Sequence, residues 1–82
     1  MGLSLQTLYK FFSAITSEPS YLSQIYRRTT LTFQTIQRLV KILEKKGFVK
    51  TKKLSRERIV ELTEDGEILK EFLLRFGEDN EN

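Results

Sequence analysis

The chain has 82 residues, no cysteine, no histidine and a formal net charge of +3. That length allows one small hydrophobic core, and the composition excludes disulfides, thiolate metal sites and imidazole as general base or ligand, so neither metal nor cofactor is expected. Its longest apolar runs span only a few residues, so no membrane crossing and no signal peptide are expected, and the chain reads as cytoplasmic.

The first element spans Leu3 to Ser17, where Leu5, Leu8, Phe11, Phe12 and Ile15 recur at helical spacing. Pro19 ends it, because proline disfavours helix in the residue before it. Ser20 then reads as the N-cap of a second helix over Tyr21 to Arg28, with Leu22 and Ile25 inward and Tyr26 beside them. Thr32 is the expected cap of a third helix reaching Lys46, with Ile36, Leu39, Val40 and Leu43 on its inner face. Phe33, one turn before Ile36 and Gln37, is assigned to the core in preference to an outward contact. Gly47 stands where a left-handed residue stops a helix, after Lys45 and Lys46 at the negative end of the dipole.

Beyond Gly47 the period changes to two. The runs 48–53 and 58–62 read as the strands of a hairpin whose loop is Leu54-Ser55-Arg56-Glu57. Thr63 caps a fourth helix with Glu64, Asp65 and Glu67 in its first turn, and Gly77 is expected to end it. Residues 1–77 therefore form one domain, and 78–82 an acidic, disordered tail. The fold class is α+β, mainly α, in the order α-α-α-β-β-α.

Charge is partitioned along this order. Between Arg27 and Arg58 eleven basic residues face two acids, Glu44 and Glu57, a net of +9. From Ile59 onward eight acids face Lys70 and Arg75, a net of −6. A basic block set apart from an acidic one points to a surface that meets a polyanion. No grouping of nucleophile, base and acid appears, so an enzyme is not expected.

The run Leu43-Glu44-Lys45-Lys46-Gly47-Phe48-Val49, followed after the hairpin by Leu62-Thr63-Glu64-Asp65-Gly66, resembles winged helix-turn-helix regulators of the MarR kind. PadR-like and small archaeal or viral winged helices share these motifs. The resemblance covers about residues 21 to 66 and implies double-stranded DNA as partner, with the third helix in the major groove and the hairpin as a wing. Thr30 stands where glycine is common in the helix-turn-helix turn, and Leu54 where such wings carry an aspartate two residues before the arginine that Arg56 matches. The chain is also shorter than typical MarR proteins, so no effector pocket is expected.

On the third helix Thr32, Gln34, Thr35, Gln37, Arg38 and Lys41 form the outer face. Gln suits adenine, Arg guanine, and Thr either a hydroxyl contact or a methyl contact. Lys50, Lys52, Lys53, Arg56 and Arg58 concentrate on the wing within nine residues, more charge than an edge strand needs for protection. Tyr21, Gln24, Arg27 and Arg28 are secondary candidates on the second helix. The fourth helix is more apolar than one stripe requires. Leu69, Phe72, Leu73 and Phe76, with Leu3, Leu5 and Phe12 of the first helix, form the expected interface of a homodimer. The reading is a sequence-specific, nucleoid-associated transcriptional regulator. Its alternatives are plasmid partition, replication or chromosome architecture, or a protein-interaction module.

Overall fold

A computed structural model describes residues 4–16 and 18–79. Seven elements follow one another: α1 (Leu5–Ala14), β1 (Ser20–Tyr21), α2 (Leu22–Arg28), α3 (Phe33–Lys45), β2 (Val49–Leu54), β3 (Glu57–Leu62) and α4 (Glu64–Asp79). The strands form one antiparallel sheet in the order β1-β3-β2. Helices α2 and α3 with the β2–β3 hairpin make a winged helix-turn-helix, and α1 packs along α4 behind it.

Among the described residues, thirteen apolar side chains from the four helices, from Ile15 just after α1 and from β2 and β3 close the core. Phe11 and Phe12 sit at its centre, edge to face with ring centroids 5.4 Å apart, an arrangement worth about 0.5–1.5 kcal/mol beyond burial alone. From α3 come Ile36, Leu39, Val40 and Leu43, the stripe its spacing predicts.

The boundaries differ from the expected ones for local reasons. Helix α1 ends at Ala14, where Ile15 turns to extended backbone and buries its side chain fully. No glycine closes this end; its carbonyls are met from elsewhere. Arg28 Nη1 donates to the Ala14 carbonyl at 3.1 Å, and Lys70 Nζ donates to that of Ile15. Two cations thus sit at the negative end of the α1 dipole. Ser20 is not the cap of α2. Leaving Pro19, Ser20 and Tyr21 stay extended and pair with Val60 and Ile59, so Ser20 is buried in a third strand and Tyr21 takes the cap position. Helix α4 runs through Gly77 to Asp79. The segment expected as a tail thus begins inside the helix, and residues 80–82 lie outside the described residues.

The two motifs that carried the resemblance meet in space. After α3, Gly47 adopts φ +88°, with the Phe48 N–H bonded to the Leu43 carbonyl at 2.8 Å and the Gly47 N–H to that of Glu44 at 3.1 Å. This is the Schellman arrangement, which uses two of the orphan carbonyls of α3. Thr63 locks onto it: its N–H donates to the Phe48 carbonyl at 3.1 Å and its hydroxyl to that of Gly47 at 2.6 Å. The same hydroxyl accepts from the Gly66 N–H at 3.1 Å and caps α4. A Cβ on Gly66 would lie 1.9 Å from the Phe48 carbonyl oxygen, so only glycine allows α4 to start there. Among the described residues no helix is long and apolar enough to cross a membrane.

Candidate nucleic-acid interface

Thr32 caps α3 as its position predicts: its hydroxyl accepts from the Thr35 N–H at 3.2 Å. It also bonds the Thr35 hydroxyl at 2.9 Å, so both threonines are engaged in holding the first turn. The turn before it is held by the Thr29 hydroxyl, which accepts from the Leu31 N–H at 3.3 Å. Gln34, Gln37, Arg38 and Lys41 follow on the outer face of α3, all exposed.

The hairpin register decides which wing residues join them. Cross-strand partners share a face of the sheet, and alternate residues change face. Val49, Thr51 and Lys53 pair with Leu62, Val60 and Arg58. This face is buried at Val49, Val60 and Leu62 and carries Lys53 and Arg58 where it passes the edge of the core. Lys50 and Lys52 share the opposite face, as alternation predicts. Leu54 pairs with Glu57, which leaves Ser55 and Arg56 as a two-residue loop. The positive φ of 61° at Ser55, in the first loop position, has the sign pattern of a type II′ turn.

Between α3 and the wing lies an open groove of two adjoining depressions. One is lined by Gln34, Gln37, Arg38, Val40, Lys41, Ile42, Leu22 and Arg58. The other shares Leu22, Gln37 and Arg58 with it and adds Ser23, Phe33, Lys53, Arg56 and Glu57. The structure therefore brings together the outer face of α3 and the Lys53–Arg58 end of the wing. It leaves Lys50 and Lys52 on the far side of the hairpin.

Both acids of the basic segment are tied down. The Thr51 hydroxyl donates to Glu44 Oε2 at 2.8 Å, fastening β2 to the end of α3. The Ser23 hydroxyl donates to Glu57 Oε1 at 2.9 Å, fastening β3 to α2. These bonds set the angle of the wing against the two helices. Sequence reading overlooked Ser23, Thr51, Glu44 and Glu57; their one signal was that Glu44 and Glu57 alone are acidic in so basic a stretch. Among the described residues the one ion pair is Arg75 with Glu71, 3.6 Å apart on α4. The basic residues of α3 and the wing are thus not neutralised by an ion pair among the described residues.

No family model matches the sequence, and no curated protein matches it. Two solved structures share the fold. Sso10a-2, a DNA-binding protein from Sulfolobus solfataricus, matches with a TM-score of 0.83 at 17% identity, over 99% of this chain and 84% of its own. AF1382 from Archaeoglobus fulgidus matches with a TM-score of 0.75 at 18% identity, over 95% of this chain and 87% of its own. The likeness is one of fold.

The secondary candidates divide. Arg27 and Arg28 are both exposed at the end of α2, but Arg28 turns back to the Ala14 carbonyl and also reaches the Ser20 hydroxyl at 3.4 Å. Arg28 is thus a structural cap. The Gln24 carboxamide oxygen accepts from the Tyr21 N–H at 2.9 Å, which commits it to the start of α2. The expected dimer residues divide as well. Phe12 and Leu73 are buried within the single chain, so these two are not surface for a second copy, while Leu69 packs against the core and stays half-buried. Leu5 and Phe72 are exposed, joined by Ile68, one turn before Phe72 and 62% exposed. Leu3 and the Phe76 side chain lie outside what the structure describes. Phe33, assigned to the core, is exposed, as is Tyr26.

Proposed function

We propose that this protein binds double-stranded DNA in a sequence-specific manner, as a homodimeric transcriptional regulator of the MarR-like winged-helix type. The observation that carries this reading is the groove in which Gln34, Gln37, Arg38 and Lys41 of α3 face Lys53 and Arg58 of the wing. Cationic side chains displace counterions from phosphates, while Gln and Arg on the outer face of α3 match the donor and acceptor pattern of adenine and guanine edges. Sso10a-2, which shares this fold, is a DNA-binding protein, and this supports the same reading. Exposed Ile68 and Phe72 on α4, with Leu5 on α1, supply apolar surface for a second copy away from the groove.

Selection of bound sequences from a random duplex library tests the proposal. An enriched inverted repeat with half-sites about ten base pairs apart, centre to centre, is the expected result. A pool that stays random under conditions of tight binding contradicts sequence-specific recognition.

A further inference from the structure

Phe33 occupies the first position of α3 with 40% of its surface exposed. Its ring meets that of Tyr26 from α2 edge to face, centroids 5.7 Å apart at 86°, and Tyr26 is itself 48% exposed. The pair holds itself outside the core, and the contact fixes the direction in which Phe33 presents its ring. Phe33 also lines the groove beside Gln37, Lys53 and Arg58. An apolar disc is therefore set among cations, on the face that the proposed function assigns to DNA.

The cations account for phosphate; the ring needs a different partner. The major-groove edges of adenine, guanine and cytosine offer hydrogen-bond donors and acceptors, and thymine alone adds a methyl group. The first turn of a recognition helix is also the part that reaches base edges. We propose that Phe33, braced by Tyr26, is a specificity-determining residue that reads the C5 methyl of a thymine within the site. This rests on duplex DNA being the ligand of the groove.

The test uses the duplex enriched by selection, with each thymine replaced singly by deoxyuridine. That exchange removes one methyl group and leaves base pairing and phosphate charge intact. The native protein should lose about fourfold in affinity at one position of each half-site, the worth of one buried methyl group. Phe33→Ala should bind the thymine and uracil duplexes equally, Phe33→Leu should retain part of the difference, and Lys52→Ala should retain all of it. Uracil tolerated at every position, an equal penalty in Phe33→Ala, or an enriched site lacking thymine would each overturn the proposal. So would Phe33-dependent binding of the single strand as tight as that of the duplex, which would make the ring a stacking platform. Each of these results leaves salt-dependent duplex binding intact. Absence of that binding removes the DNA reading and this inference with it.

Discussion

The two long helices of this domain spend their apolar residues differently. Helix α3 turns Ile36, Leu39, Val40 and Leu43 inward and, after Phe33, presents polar and basic side chains outward. Helix α4 buries Leu73, packs Leu69 against the core, and leaves Ile68 and Phe72 exposed among acids. A core this small needs one stripe from each helix, and what remains on the outside is what the proposed function assigns to partners: a polyanion for α3, a second copy for α4. The charge runs the same way, +9 from Arg27 to Arg58 and −6 from Ile59 onward. An acidic α4 would keep phosphate away from the apolar surface that the proposed dimer uses.

The sharpest way to break this division is ionic strength. With about four phosphates contacted per protomer, the slope of log affinity against log salt for a dimer should lie near −7, from roughly −0.9 per contact. Raising salt from about 50 to about 200 mM then weakens binding around ten-thousandfold, read by fluorescence anisotropy. A flat titration contradicts the basic face as the binding surface.

The seam between the two halves is Gly66. Gly66→Ala should cost roughly 1–3 kcal/mol, as overpacking against a backbone carbonyl does, read as a lower urea midpoint at unchanged slope. A neutral result means that α4 can shift away from Phe48 freely, and the halves are then less firmly joined than Thr63 and Gly47 imply.

Within the basic half, Arg38→Ala should lose roughly 1–3 kcal/mol on the best site and much less on random duplex. Lys52→Ala, on the far face of the wing, should weaken both alike and by less. Equal losses on both duplexes for Arg38→Ala remove α3 as the reader. Within the acidic half, Ile68→Glu with Phe72→Glu should halve the sedimenting mass at micromolar concentration. A native protein that sediments as a monomer, free and on DNA, contradicts the dimer.

Much of this was legible because it is local. The Thr32 cap, Gly47, the α3 stripe and the Thr63–Gly66 turn depend on neighbours a few residues away, and their periodicity and cap chemistry report them. Strand β1 left no such trace. Two residues have no period, and Ser20 and Tyr21 are extended only because the edge of β3 is there to pair with them. Arg28 looked like surface charge because nothing within α2 shows that the end of α1 lies beside it. Phe33 misled for a geometric reason. Its spacing from Ile36 and Val40 fits the inner stripe, yet helical side chains lean toward the N-terminus, so a residue in the first turn points past the edge of the core. The same lean separates Phe72 from Leu73 less clearly in sequence, since both fit an apolar face and only the packing of α1 on α4 chooses between them.

The proposed function places duplex DNA in the groove between α3 and the wing. Titrating the isotopically labelled protein with a selected duplex and following backbone amide shifts by NMR tests it most directly. The largest changes are expected at Gln34, Gln37, Arg38, Lys41, Lys53 and Arg58, with α1 and α4 nearly still. Changes concentrated on α1 and α4, with α3 and the wing unmoved, would contradict it.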